Sequence, residues 1–375
     1  MIPLNANLSK LRRSGIRQYT NLAKTVPECV MLTIGEPDFD TPEAIKAAAV
    51  HALNENRTHY APNQGVDALR QEIATFETRK GMPCTAEQVL VTVGATGALY
   101  TALVGILNPG EEVVIPTPAF PLYETIVTAT GATPVILDTK KDDFQLTEAS
   151  LLEVISEKTK AIILNSPNNP TGAVLSEASL AAVKKAVLGK PIFVLCDNVY
   201  QGLSAIPCPD LSLDADLQEQ ILLCQSFSKP YAMTGWRLGY LVGPTDVMSR
   251  LLLLSAAEIA AVPTFLQDAG VAALLTDPAD MAMTYAKRRA FVCRRLTEMG
   301  LKFPEPEGAF YVFPDVSGFG LTDEEFCTRL IREGKVATVP GSCFGCQGHI
   351  RISYCCNDED LEKGMDRLEA FLKTL

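Results

Sequence analysis

Seven short apolar runs mark the middle of the chain: "QVLVTVG", "EVVIP", "TPVIL", "KAIILN", "IFVLCD", "ILLCQ" and "GYLVG". Their apolar residues are consecutive rather than alternate, as in strands covered on both faces. Most are separated by helix-like stretches, and "VDALRQEIATFETRK", just before the first run, sets Leu69, Ile73 and Phe76 on one face. Buried strands alternating with helices predict an α/β fold, a mostly parallel sheet sandwiched by helices, over residues 45–285. After "MAMTYAKRRAFVCRRLTEMG", which has the length and pattern of a long helix, come "AFYVFP", "TDEEFCTRLIREG", "KVATVP" and "HIRISY". These predict a smaller α+β domain over residues 286–375, to which residues 1–44 contribute an N-terminal arm and a further part, so that it is built from both termini.

Length and composition agree with that division. The chain has 375 residues, above the usual size of one domain, with 47% hydrophobic and 21% charged residues, the balance of an ordinary globular protein. A net charge of −11 argues against nucleic acid or an anionic membrane as partner. The first twenty residues lack an apolar core of signal-peptide length. The stretch "LLLLSAAEIAAVPTF" is broken by Glu258 and Pro263 before it reaches the roughly 18 to 20 apolar residues of a membrane span. A cytoplasmic protein is expected.

Eleven cysteines lie mostly in apolar runs, as small buried hydrophobes do in a reducing compartment. Cys343 and Cys346 form a CxxC pair followed by Cys355 and Cys356, a conceivable zinc set. The second pair is adjacent, however, and a strand end would turn neighbouring side chains to opposite faces. No metal is expected. The three histidines, His51, His59 and His349, do not form HExxH.

In open α/β sheets ligands bind beyond the carboxyl ends of the strands, and the polar residues at those ends form a set. "GATGAL" follows the first run with glycines at a helix start, either a phosphate site or an ordinary strand-to-helix turn. "SPNNPTG" puts Asn168 and Asn169 at another strand end. Asp197 ends "IFVLCD", three residues before Tyr200, as a site carboxylate or a helix cap. "SFSKPYAMTGWR" supplies Ser226, Ser228, Lys229 and Arg237: two hydroxyls and a guanidinium for a phosphate, with an amine beside it. A P-loop motif is absent. The phosphorylated ligand that uses a lysine amine, a carboxylate and a tyrosine hydroxyl together is pyridoxal phosphate.

With "TIGEPDFDTP", "YAPNQGVDALR", "CDNVY" and "RISY", these motifs resemble, in order from Gly35 to Arg351, the fold type I, class I aminotransferases. The resemblance implies that Lys229 forms a Schiff base with pyridoxal 5'-phosphate and that Asp197 faces the ring nitrogen. Tyr200 and Asn169 would bind the ring's phenolic oxygen, and Phe120 would stack on the ring. Gly94, Ala95, Thr96, Ser226, Ser228 and Arg237 would hold the phosphate, with Tyr60 reaching it from the other subunit of a homodimer. Arg351 would grip the substrate α-carboxylate, helped by Asn169 and the Gly35 backbone. Where aspartate-specific relatives carry small hydroxyl residues, this chain has Gly15 and Ile16, which argues against strict aspartate specificity. The implied reaction moves an amino group between an L-amino acid and a 2-oxo acid, one pair being glutamate and 2-oxoglutarate, in ping-pong order. Rival readings are a β-lyase, which uses the same lysine and aspartate, a DNA-binding regulator, which the acidic charge disfavours, and a nicotinamide dehydrogenase, which "GATGAL" does not fit because it is not GxGxxG.

Overall fold

The computed structural model describes residues 2–11, 15–204 and 206–375. All seven apolar runs are strands of one sheet, in the spatial order Val89–Thr92, Gly239–Val242, Ile221–Ser226, Phe193–Asp197, Thr159–Asn165, Glu112–Thr117 and Thr133–Asp138. The last five run parallel to one another. Gly239–Val242 is antiparallel to both its neighbours.

The run-like strands follow from two cores sharing one sheet. Along Val89–Thr92, Val89 and Val91 enter one core and Leu90 the other. Leu195, Leu222 and Leu241 likewise face away from Val194, Leu223 and Val242. Period-2 alternation therefore persists, but both destinations are apolar. Each such side chain contributes about 1.5–3 kcal/mol by leaving water.

A third core draws on both ends of the chain. It joins Tyr19, Ala23, Val30 and Leu32 to residues between Met281 and Phe371. Val30–Met31 pairs in parallel with Val336–Ala337, and Ile350–Ser353 is the middle strand of a small antiparallel sheet between Val339–Pro340 and Tyr311–Val312. The helix Ala279–Glu298 buries Met281, Tyr285, Arg288, Val292 and Leu296, a three-to-four-residue stripe that turns one face to this core. No helix among the described residues is long and apolar enough to cross a membrane.

Strand direction creates the site. Because the reversed strand separates two strands of common direction, the carboxyl ends of Val89–Thr92 and Ile221–Ser226 lie on one edge, and the Gly239 end of the reversed strand joins them. Residues 94–96, 165–169, 197–200 and 226–237 thus gather at that edge.

Candidate active site

The edge opens into a cavity of about 420 Å³, bounded on the other side by residues of the third core and of the N-terminal helix Gly15–Ala23. Asp197 lies on its floor, at the end of the strand Phe193–Asp197. It caps no helix. Its Oδ2 accepts a hydrogen bond from the Tyr123 hydroxyl at 2.6 Å, and its buried Oδ1 has no partner. Burial pushes its carboxyl up to about 6, against the lowering pull of Tyr123, the Val199 amide and the Lys229 charge. An unpartnered buried acceptor is costly, and Oδ1 is suited to an N–H donor from a ligand.

Lys229 follows the strand Ile221–Ser226 and donates from Nζ to the Gly35 carbonyl at 2.5 Å. Burial brings its ammonium down to about 8, although nearby Cys355 and Glu36 favour the charge. An ammonium that burial has brought toward neutral pH gives up its proton more readily than an ordinary lysine, which suits a proton carrier. Gly35 is required by space: a Cβ there would lie 1.8 Å from the Tyr311 hydroxyl. That hydroxyl is 3.1 Å from the Tyr200 hydroxyl, which also receives Asn169 Nδ2 at 3.5 Å.

Gly94 starts the helix Gly94–Ile106 at φ +66°, and a Cβ there would meet the Arg237 guanidinium at 2.8 Å. The free amides of that first turn and Arg237 therefore converge on one spot, an anion site by dipole and charge. Ser226 Oγ accepts from the Ser228 amide at 3.0 Å. Between Lys229 and Arg237 the chain forms only a short 3-10 turn, Thr234–Trp236; the helix N-terminus at the anion site is that of Gly94.

Arg351, in the small sheet, is buried and reaches across to donate to Asn169 Oδ1 at 2.8 Å and to the Thr33 carbonyl at 2.6 Å. Its Nε has no partner. The Tyr311 and Phe344 rings lie 4.5 and 4.9 Å from the guanidinium and hold its plane. Ile16, Thr96 and Phe120 line the same cavity. Tyr60 does not; it stands apart, 93% exposed.

A family profile described as "Aminotransferase class I and II" matches residues 27–368. The chain belongs to the class I and II aminotransferases. It is 38% identical to a probable N-acetyl-LL-diaminopimelate aminotransferase of Bacillus subtilis, over 98% of this chain and 95% of that one. An aspartate aminotransferase of Pyrococcus horikoshii is also 38% identical, over 97% and 95%. Among solved structures, an aromatic aminotransferase from Pyrococcus horikoshii aligns with a TM-score of 0.89 at 38% identity, covering 95% of this chain and 99% of that one. Relatives with three different amino donors are equally similar, so overall likeness does not select a donor.

In this aminotransferase the residues that sequence reasoning missed are Tyr123, Asn165, Thr33 and Tyr311. Each touches a site residue: Asn165 Oδ1 accepts from the Asn169 amide at 2.8 Å, and its Nδ2 donates to the Asp197 carbonyl at 2.9 Å. The cysteines that raised the question of zinc do not converge. Cys346 Sγ is 3.7 Å from His349 Nδ1, whereas Cys355 Sγ is 3.1 Å from the Ile34 carbonyl. Among the described residues no group of three or more His, Cys, Asp or Glu side chains is arranged to hold a metal.

Proposed function

We propose that this aminotransferase transfers an amino group between an L-amino acid and a 2-oxo acid, with glutamate and 2-oxoglutarate as one pair, on bound pyridoxal 5'-phosphate. The observation that carries the reading is the unpartnered, buried Oδ1 of Asp197 in the same cavity as the Lys229 amine. It fits a protonated ring nitrogen. When bound, the cofactor supplies an aldehyde and an electron-withdrawing ring that accommodates negative charge from the substrate's α-carbon.

The chain's own residues then have distinct tasks. Asp197 accepts the ring N–H, oriented by Tyr123. The amides of Gly94, Ala95 and Thr96, the hydroxyls of Ser226 and Ser228, and Arg237 hold the phosphate. Tyr200 and Asn169 bind the phenolic oxygen, and Phe120 covers the ring face. Lys229 Nζ, brought down to about 8, takes the proton from the substrate α-carbon as general base and carries it. Arg351, with Asn169 and the Gly35 backbone, binds the α-carboxylate, while Ile16 borders the side chain. Donor and acceptor use one site in turn, which gives ping-pong kinetics.

The same reading makes the protein a homodimer, with Tyr60 completing the partner's phosphate site. Its exposure supports this, since an aromatic ring left open to water is suited to an interface. It also makes residues 45–285 a cofactor domain and residues 286–375, with part of residues 1–44, a smaller substrate domain, the rest of residues 1–44 being an N-terminal arm. Eleven free thiols suit a cytoplasmic location.

The test is to supply the cofactor-loaded protein with single amino acids and 2-oxoglutarate. Glutamate and the matching 2-oxo acid are expected, with parallel double-reciprocal lines. Ammonia release without glutamate would replace transfer by β-elimination.

A further inference from the structure

Three consecutive carbonyls in the segment after Leu32 are each held by a different side chain. The Thr33 carbonyl accepts from Arg351 at 2.6 Å, that of Ile34 from the Cys355 thiol at 3.1 Å, and that of Gly35 from Lys229 at 2.5 Å. On the reading just given, on which this inference rests, Arg351 binds the substrate and Lys229 moves the proton. Cys355 has no task in it. The thiol is buried and lies outside the residues that line the cavity. Its Sγ is also 2.8 Å from the Ser353 hydroxyl. Because the thiol gives its one hydrogen to the Ile34 carbonyl, the serine must be the donor in that second bond. A chain therefore runs from Ser353 through Cys355 to Ile34. Burial raises the thiol above its ordinary range, so it keeps that hydrogen at neutral pH.

The Ile34 carbonyl and the Gly35 amide belong to one trans peptide unit, so they point in opposite directions. A carbonyl fixed toward Cys355 turns the amide away from it, and Gly35 lines the cavity. Among the described residues no acceptor meets that amide. Glycine leaves the unit free to turn over, so something outside the backbone must settle its direction. We propose that Cys355, oriented by Ser353, is a positioning residue that sets the Ile34–Gly35 peptide so that the Gly35 amide donates to the substrate carboxylate beside Arg351. A thiol is a weak donor and contributes direction; the strong hydrogen bond is the one that the amide makes to a charged group.

Ile34–Gly35 is the only Ile-Gly pair in the sequence. Labelling isoleucine carbonyls with ¹³C and glycine with ¹⁵N therefore gives one NMR signal for this peptide unit alone. Butanoate, which has a carboxylate and no amino group to react, is titrated into the cofactor-loaded wild type and into Cys355→Ala and Cys355→Ser. In the wild type the amide signal is expected to move downfield as butanoate saturates. Cys355→Ala should bind butanoate about 10-fold more weakly, with a smaller movement of the signal. Cys355→Ser, which keeps a donor, should recover both, and cofactor affinity should be the same in all three. A wild-type signal that ignores bound butanoate, undiminished affinity in Cys355→Ala, or a loss that Cys355→Ser does not recover overturns the assignment. Amino transfer is measured separately with the wild type. If it fails for every donor, the functional reading falls, while the peptide signal, which involves no reaction, still decides the role of Cys355.

Discussion

The hydroxyl of Tyr123 donates to Oδ2 of Asp197 across 2.6 Å, and both side chains are buried. Tyr123 is the neutral partner of this bond: burial and the neighbouring carboxylate push its phenol well above the usual range. Its proton stays on the tyrosine and stabilises the ionised aspartate.

Tyr123→Phe should therefore raise the Asp197 carboxyl further above about 6. A hydrogen bond to a charged group contributes about 1.5–3 kcal/mol, or roughly 10- to 100-fold in rate if the charge is needed. The expected signature is a lower kcat near pH 7 and an acid limb of the pH profile displaced upward. A uniform loss with an unshifted limb would mean that Tyr123 only packs.

The Lys229 amine connects pH to stability in the cofactor-free protein. Its ammonium falls from 10.5 to about 8 on folding, so between those values the unfolded chain binds more protons and stability rises with pH. The destabilisation is full below about pH 8 and is relieved as pH approaches 10.5. Lys229→Met should accordingly be more stable than wild type at pH 7, by on the order of 2–3 kcal/mol, with the gap closing at high pH in denaturant titrations. It should also lose at least the roughly 10²- to 10⁴-fold that a general base supplies.

Arg351 is held between Asn169 and Thr33 with Nε unpartnered. A lysine cannot reproduce that planar set of donors. Arg351→Lys should lower kcat/KM about 100-fold for amino acids and 2-oxo acids alike and leave cofactor affinity unchanged. The check is steady-state kinetics with two unlike donors; a loss confined to one would make Arg351 a side-chain selector.

Tyr60 should be covered by a second copy of the chain. Sedimentation is expected to give a dimer, and Tyr60→Phe should weaken cofactor binding roughly 10-fold by removing one hydrogen bond to a charged phosphate. An active monomer would sink the assignment.

Much of this was legible in the sequence because the large sheet marks its own ends. Each apolar run stops at a turn, and Asp197, Asn169, Ser226 and Lys229 stand at or just past those stops. Tyr123 was not legible. It lies in the helix Leu122–Thr130 among core residues, and its meeting with Asp197 depends on the order of strands far apart in the chain. The small sheets were legible only in outline. "KVATVP" is one run in sequence but two strands in space, Val336–Ala337 pairing with Val30–Met31 and Val339–Pro340 with Ile350–Ser353. Strands of two residues carry too little periodicity to reveal such a change of partner.

The core that joins Leu32 to Met365 and Phe371 has a consequence for the order of events on the ribosome. The large sheet has all its strands once Val242 has emerged, but the segment around Tyr19–Leu32, made first, waits for its partner strand Val336–Ala337 and then for the last helix, Asp358–Leu372. Domains fold broadly as they are synthesised, so here the oldest part of the chain settles last. Arg351 and the Thr33 carbonyl that it meets are likewise brought together only late in synthesis. A ribosome-stalled chain ending before Asp358 is thus expected to present the cofactor side of the cavity without its substrate side.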